Sequence, residues 1–187
     1  MSVITAGELR ILKMVPRYRI IQCGALDQEA EMDIDFDWLE DQIFHRHLNE
    51  DEKQVLEKSI RLAEFAKGDV LMAEGDRCDG LYLLRSGRAG VHHHSHGQQV
   101  RVGEVTEGAQ LGDMAYFDGK PYSTTITAKA DCMAYKISRL ELEGLMSLHY
   151  EMAKDIMLNT ICRLSGIVRG MNTVNAYSQQ YIHGRRV

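Results

Sequence analysis

Between Gly68 and Gly119 the chain places ten of its sixteen glycines and no proline. They separate short runs of strand-forming residues: "DVLM", "LYLL", "AGVH" and "QVRVGEV", with "TTITA" and "CMAYKI" following. Glycine accepts the backbone angles that tight turns demand, and β-branched and aromatic residues suit a pleated, half-buried surface. Short strands closed this regularly by turn signals predict an all-β sandwich or roll.

The flanks read differently. Residues 1 to about 60 are charged and helix-prone, and "NEDEKQVLEKSI" holds a capping box in which Asn49 caps a helix and Glu52 reaches back to it. The acidic run "DQEAEMDID" upstream reads as a solvated connector. After the roll, "SRLE" (Ser138 to Glu141) is a second capping box that launches helical sequence. From Met157 the apolar positions Met157, Ile161, Leu164, Val168 and Met171 advance by alternating steps of four and three. That is one stripe along a helix, suited to pairing with the same helix of a second copy or to folding back on the chain's own roll; the homodimer is the expectation. The sequence thus predicts an N-terminal helical extension over 1–60, a β-roll over 61–137 and C-terminal helices over 138–187.

Several function classes are disfavoured. A net charge of −5 does not suit a surface built for nucleic acid, which rewards clustered Lys and Arg. The basic lean at His183 to Arg186 reads as solvated tail. Cys23, Cys78, Cys132 and Cys162 have no metal-ligand spacing and read as reduced, mostly buried thiols. Charged residues punctuate the N-terminus, and no apolar run is long enough to span a bilayer, so a cytoplasmic, membrane-free protein is expected. There is no nucleophile elbow, no Walker loop and no recognisable carboxylate pair, so no enzyme is expected.

The histidine cluster "GVHHHSHG" invites a metal reading. On a strand His92, His94 and His96 share one face while Ala89, Val91 and His93 take the other. If Val91 faces the core, the three-histidine face lies outside, as surface candidates for adventitious zinc or nickel. A cupin-type metal enzyme needs a His-x-His pair facing inward and a glutamate shortly after; Glu104, past Gly97 and Gly103, does not suit that pattern.

The segment "LGDMAYFDGKPYSTT", residues 111 to 125, reads as a loop and a short helical turn able to hold a phosphate. A turn beginning near Gly112 directs backbone N–H groups outward, small residues after it let the backbone approach an anion, and Ser123 and Thr124 add hydroxyl donors. Gly68 with Asp69, the "EGD" of Glu74 to Asp76, "LYLLRSG" (Leu81 to Gly87), the Gly108 turn, "LGDMA" (Leu111 to Ala115) and the closing "SRLE" occur in one order. Together, over roughly residues 40 to 170, they resemble the cyclic-nucleotide-binding domain of catabolite-activator-type regulators, protein kinase A regulatory subunits and cyclic-nucleotide-gated channels.

The resemblance implies a mainly β jelly-roll with N-terminal helices and a long C-terminal helix. It implies a ligand such as cAMP, cGMP or another cyclic nucleotide, held by Leu111, Gly112, Asp113, Met114, Ala115, Lys120, Tyr122, Ser123 and Thr124. Asp113 stands where the family usually has Glu to accept from a ribose hydroxyl. Tyr122 stands where the family typically has an arginine on the phosphate, and its ring either stacks on a base or plugs the pocket. Lys120, in the same loop, and Arg101, on a predicted strand of the roll, are the candidate substitutes for that cation. Activators of this kind carry a helix-turn-helix after the long helix, which "MNTVNAYSQQYIHGRRV" does not supply, so output through a partner protein and not DNA is expected. A degenerate, ligand-free dimeric scaffold is the alternative.

Overall fold

The computed structural model describes residues 19–21, 34–95 and 97–183, with side chains at 34–95 and 97–174. The connector before Ile34, Cys23, His96 and the basic tail from Gly184 lie outside the described residues. The chain divides into two compact units, one of Met1–Asp33 with Val55–Glu141 and one of Ile34–Gln54 with Leu142–Val187. Both cut across the zones expected from composition.

The first unit carries two antiparallel sheets, as the turn spacing predicts. One has the order β1 (Arg19–Ile21), β2 (Ile60–Phe65), β9 (Cys132–Ser138), β4 (Gly80–Ser86), β7 (Gln110–Leu111). The other has the order β3 (Val70–Met72), β8 (Thr125–Ala128), β5 (Arg88–Ser95), β6 (Gln98–Thr106). Phe65, Tyr82, Leu84 and Ala134 from the first sheet meet Leu71, Ala89, Ile126 and Ala128 from the second in one buried cluster. The helix-prone reading of 1–60 fails at Arg19–Ile21, which pair with β2 as an edge strand. The runs expected as strands do not include β2. It pairs between β1 and β9, and Ala63 and Phe65 bury while Glu64 between them stays exposed, the period-2 pattern of a strand. At Gly87, φ is +91°, and a Cβ would lie 2.4 Å from the Asp131 carbonyl oxygen, so no larger residue fits that turn.

Helix α2 (Glu50–Ser59) leads into β2, and α4 (Arg139–Leu148) leaves β9. Both expected capping boxes form. Asn49 Oδ1 accepts from the Glu52 N–H at 2.9 Å and Glu52 Oε2 from the Asn49 N–H at 3.0 Å. Ser138 Oγ accepts from the Glu141 N–H at 3.2 Å and Glu141 Oε2 from the Ser138 N–H at 2.9 Å.

The second unit combines α1 (Phe36–Leu39), a π-helical turn at Glu40–Phe44 and the long helix α5 (Tyr150–His183). Asn159 Nδ2 donates to the Gln42 carbonyl at 2.8 Å, and Arg46 bridges Asp155 (2.8 Å) and both carboxylate oxygens of Glu52 (2.7 and 2.9 Å). Further along α5, Met157 and Leu164 are half-buried, while Ile161, Val168 and Met171 are 55%, 55% and 60% exposed. Cys132 is buried and Cys78 half-buried, but Cys162 is exposed, so the expectation of mostly buried thiols fails on α5. Among the described residues no helix is long and apolar enough to cross a membrane.

Candidate functional site

Segment 111–125 is anchored in the core of the β unit. Leu111 at the end of β7 and Ala115 in helix α3 (Asp113–Asp118) are buried in the central cluster. The turn between them needs glycine: Gly112 has φ +83°, and a Cβ there would lie 2.8 Å from the Gly80 carbonyl oxygen. Arg139 fixes the far side of α3, its Nη2 donating to the Tyr116 carbonyl at 2.7 Å while its guanidinium lies 4.4 Å from the Tyr116 ring centroid. The following loop is stitched to residues 74–76: Tyr122 N–H donates to the Asp76 carbonyl, and Gly75 N–H to the Tyr122 carbonyl, both at 2.9 Å.

This lacing carries the Tyr122 side chain inward. It is 8% exposed and belongs to the core cluster, with Cε1 3.5 Å from the Cβ position at Gly112, so the ring occupies the interior beside the turn. Its hydroxyl donates to Asp79 Oδ1 at 2.9 Å and accepts from the Asp79 N–H at 3.3 Å. The same carboxylate accepts from the Tyr82 hydroxyl (3.1 Å to Oδ2) and from Lys136 Nζ (2.5 Å), whose ammonium also lies 5.0 Å from the Tyr82 ring centroid.

The electrostatics of this clasp follow from burial and pairing. Burial opposes ionisation of Asp79 most strongly, yet the Lys136 ammonium and the two tyrosine hydroxyls together hold its carboxyl below the ordinary aspartate range. Burial first, and then the Asp79 charge, push the Tyr122 hydroxyl far up, so it stays a neutral donor. The Asp79 side chain nonetheless remains 44% exposed, whereas Lys136 is only 10% exposed.

The other residues singled out by sequence scatter around this clasp. Asp113 is half-buried and its Oδ1 accepts from the Met114 N–H at 2.8 Å, while Met114 itself is 59% exposed. Lys120 does not join Tyr122: it faces solvent, with Nζ 3.5 Å from Asp118 Oδ2. Arg101 on β6 donates to Glu104 at 2.8 Å. Ser123 is exposed and Thr124 half-buried. The histidines regroup as well. His92 lies beside Gly90, off the face on which Ala89 and Val91 meet the core. His93 Nδ1 lies 3.0 Å from Glu74 Oε1, and the His94 N–H donates to Glu74 Oε2 at 2.8 Å. Among the described residues no three His, Cys, Asp or Glu side chains are arranged to hold a metal.

Sequence reasoning missed Asp79, Tyr82 and Lys136. One signal was present: Lys136 interrupts the apolar run "CMAYKI", and a charge in a central strand needs a partner.

Residues 62–149 match the family model described as the cyclic nucleotide-binding domain. The chain is 30% identical over 119 residues to a cGMP-dependent protein kinase of Eimeria tenella, a match that covers 63% of this chain but 12% of the kinase. Among solved structures, a cyclic nucleotide-binding domain from Methylobacillus flagellatus superposes with a TM-score of 0.66 at 21% identity, covering 72% of this chain and 79% of that one. The regulatory subunit of a cAMP-independent protein kinase A from Trypanosoma cruzi, bound to guanosine, gives 0.52 at 18% identity, covering 70% and 48%. These two likenesses carry the fold. With the family match, the two-sheet architecture and the ordered motifs of the β unit, residues 62–149 form a domain of the cyclic-nucleotide-binding family.

Proposed function

We propose that this chain is a regulatory, non-catalytic module that receives a cyclic nucleotide or related phosphorylated ligand at residues 111–125 and passes the signal to a partner protein through its helices. The observation that carries this reading is a site keeping its frame with its cation replaced. The Gly112 turn, α3 and the loop stitched to residues 74–76 are intact, while Tyr122, clasped to Asp79, stands where the family's arginine is expected. A missing charge-assisted contact forfeits about 1.5–3 kcal/mol, roughly 10- to 150-fold in affinity, so cAMP and cGMP bind weakly. Two copies pair along the α5 stripe from Met157 to Met171, and output goes to a protein, in the cytoplasm.

The buried Tyr122 ring also supports a second reading, a ligand-free dimeric docking scaffold. A calorimetric and thermal-shift screen against cAMP, cGMP, cyclic dinucleotides and simple phosphates separates the two. A melting point that rises with ligand concentration supports the sensor, and no rise with any nucleotide supports the scaffold.

A further inference from the structure

Written as heptads, with Ile161 and Val168 at a and Leu164 and Met171 at d, helix α5 carries apolar residues at a third position, Ile167 and Val174 at g. The opposite flank is polar, with Ser165 and Asn172 at e. The g line runs along the helix at seven-residue spacing, and its two halves differ. Ala153 and Thr160 are 2% and 1% exposed, at the end where α5 packs on the π-helical turn Glu40–Phe44. Ile167 and Val174, further along the same line, are 57% and 63% exposed. An apolar seam of a and d alone suits two helices, whereas a, d and g together make a face wide enough to meet helices on two sides. Pairing two copies along Met157 to Met171 uses a and d and leaves the second half of the g line uncovered.

Resting on the reading that output passes to a partner protein through the helices, we propose that Ile167 and Val174 form a docking line for an amphipathic, acid-flanked helix of that partner. The partner helix extends along the second half of α5 the cover that the chain's own turn gives the first half. Charge selects this occupant. Beyond Asp155 the sequence has no acidic residue, while Arg163 lies one turn before Ile167 and Arg169 adds charge on the outer face of the helix. A further α5 laid on the line would bring arginines to arginines, whereas a helix flanked by Glu or Asp meets opposite charge. Its apolar residues, repeating every three and four positions, seat beside Ile167 and Val174 as in other helix-in-groove contacts.

The test titrates two synthetic amphipathic peptides into the full chain by calorimetry, both with leucine at a and d, one with glutamate and the other with lysine at e and g. The glutamate peptide is expected to bind at least about tenfold more tightly than the lysine peptide. Replacing both Ile167→Gln and Val174→Gln, with a residue that keeps the helix, is expected to weaken that binding at least about tenfold while sedimentation still shows the dimer and circular dichroism the same helix content. Equal binding of the two peptides, no binding of the glutamate peptide, or undiminished binding by the folded double variant overturns the inference. So does a double variant that sediments as monomer, which would place the line within the pairing of two copies. Wild-type assembly beyond the dimer that the double variant abolishes overturns it too, by making further copies the occupant. None of these results touches the nucleotide screen, so the sensor reading stands or falls separately.

Discussion

Asp79→Ala is the sharpest probe of the clasp. The substitution strands the Lys136 ammonium, 10% exposed, and takes the acceptor from the Tyr122 and Tyr82 hydroxyls at 2.9 and 3.1 Å. Removing one member of a buried ion pair costs about 3–5 kcal/mol, and the 44% exposure of Asp79 lets water recover part, leaving about 2–3 kcal/mol. For a chain of this size that is a melting-point drop of about 5–10 °C. Lys136→Met is expected to cost less than about 1 kcal/mol, because Asp79 keeps two hydroxyl donors and open water. The double variant recovers most of the Asp79→Ala loss, because the stranded charge is gone. Urea unfolding followed by far-ultraviolet circular dichroism on the four proteins reads all three quantities. An Asp79→Ala cost below about 0.5 kcal/mol, or a Lys136→Met cost above the Asp79→Ala cost, refutes the reasoning.

The folded Asp79 carboxyl lies below its unfolded value, so its contribution to stability is present above about pH 4 and lost as pH falls through the folded value; the stability gap between wild type and Asp79→Asn should shrink as urea melts are taken into that range. Gly112→Ala, at φ +83° and 2.8 Å from the Gly80 carbonyl, is expected to cost about 1–3 kcal/mol in the same melts, and a neutral result would contradict the turn. Met171→Glu, at a 60% exposed position of the α5 stripe, should shift sedimentation from dimer to monomer with the helix content of the circular dichroism spectrum kept.

What the sequence disclosed was what local chemistry decides. The boxes at Asn49–Glu52 and Ser138–Glu141 were legible because each side chain bonds a backbone three residues away. The strands between glycines were legible because turns and alternation act over a few residues. The clasp was not. Lys136 meets Asp79 from 57 residues away because β4 and β9 pair with Tyr82 opposite Lys136, and that register is set by the whole sheet. Tyr122 was legible as a departure from the family pattern, but its inward course depends on the backbone bonds to Gly75 and Asp76. Alternation alone places His92 and His94 on one face. Glu74, which gathers His93 and His94 from across the sheet, lies twenty residues from His94.

If Tyr122, turned inward onto Asp79, stands in place of a phosphate-binding cation, restoring the cation restores the affinity. Titrating cAMP into the wild type and into Tyr122→Arg side by side by calorimetry tests it most directly. Weak binding to the wild type is expected, with a gain of roughly 10- to 150-fold in the arginine variant. Tight binding by the wild type, with no gain from the arginine, would contradict it.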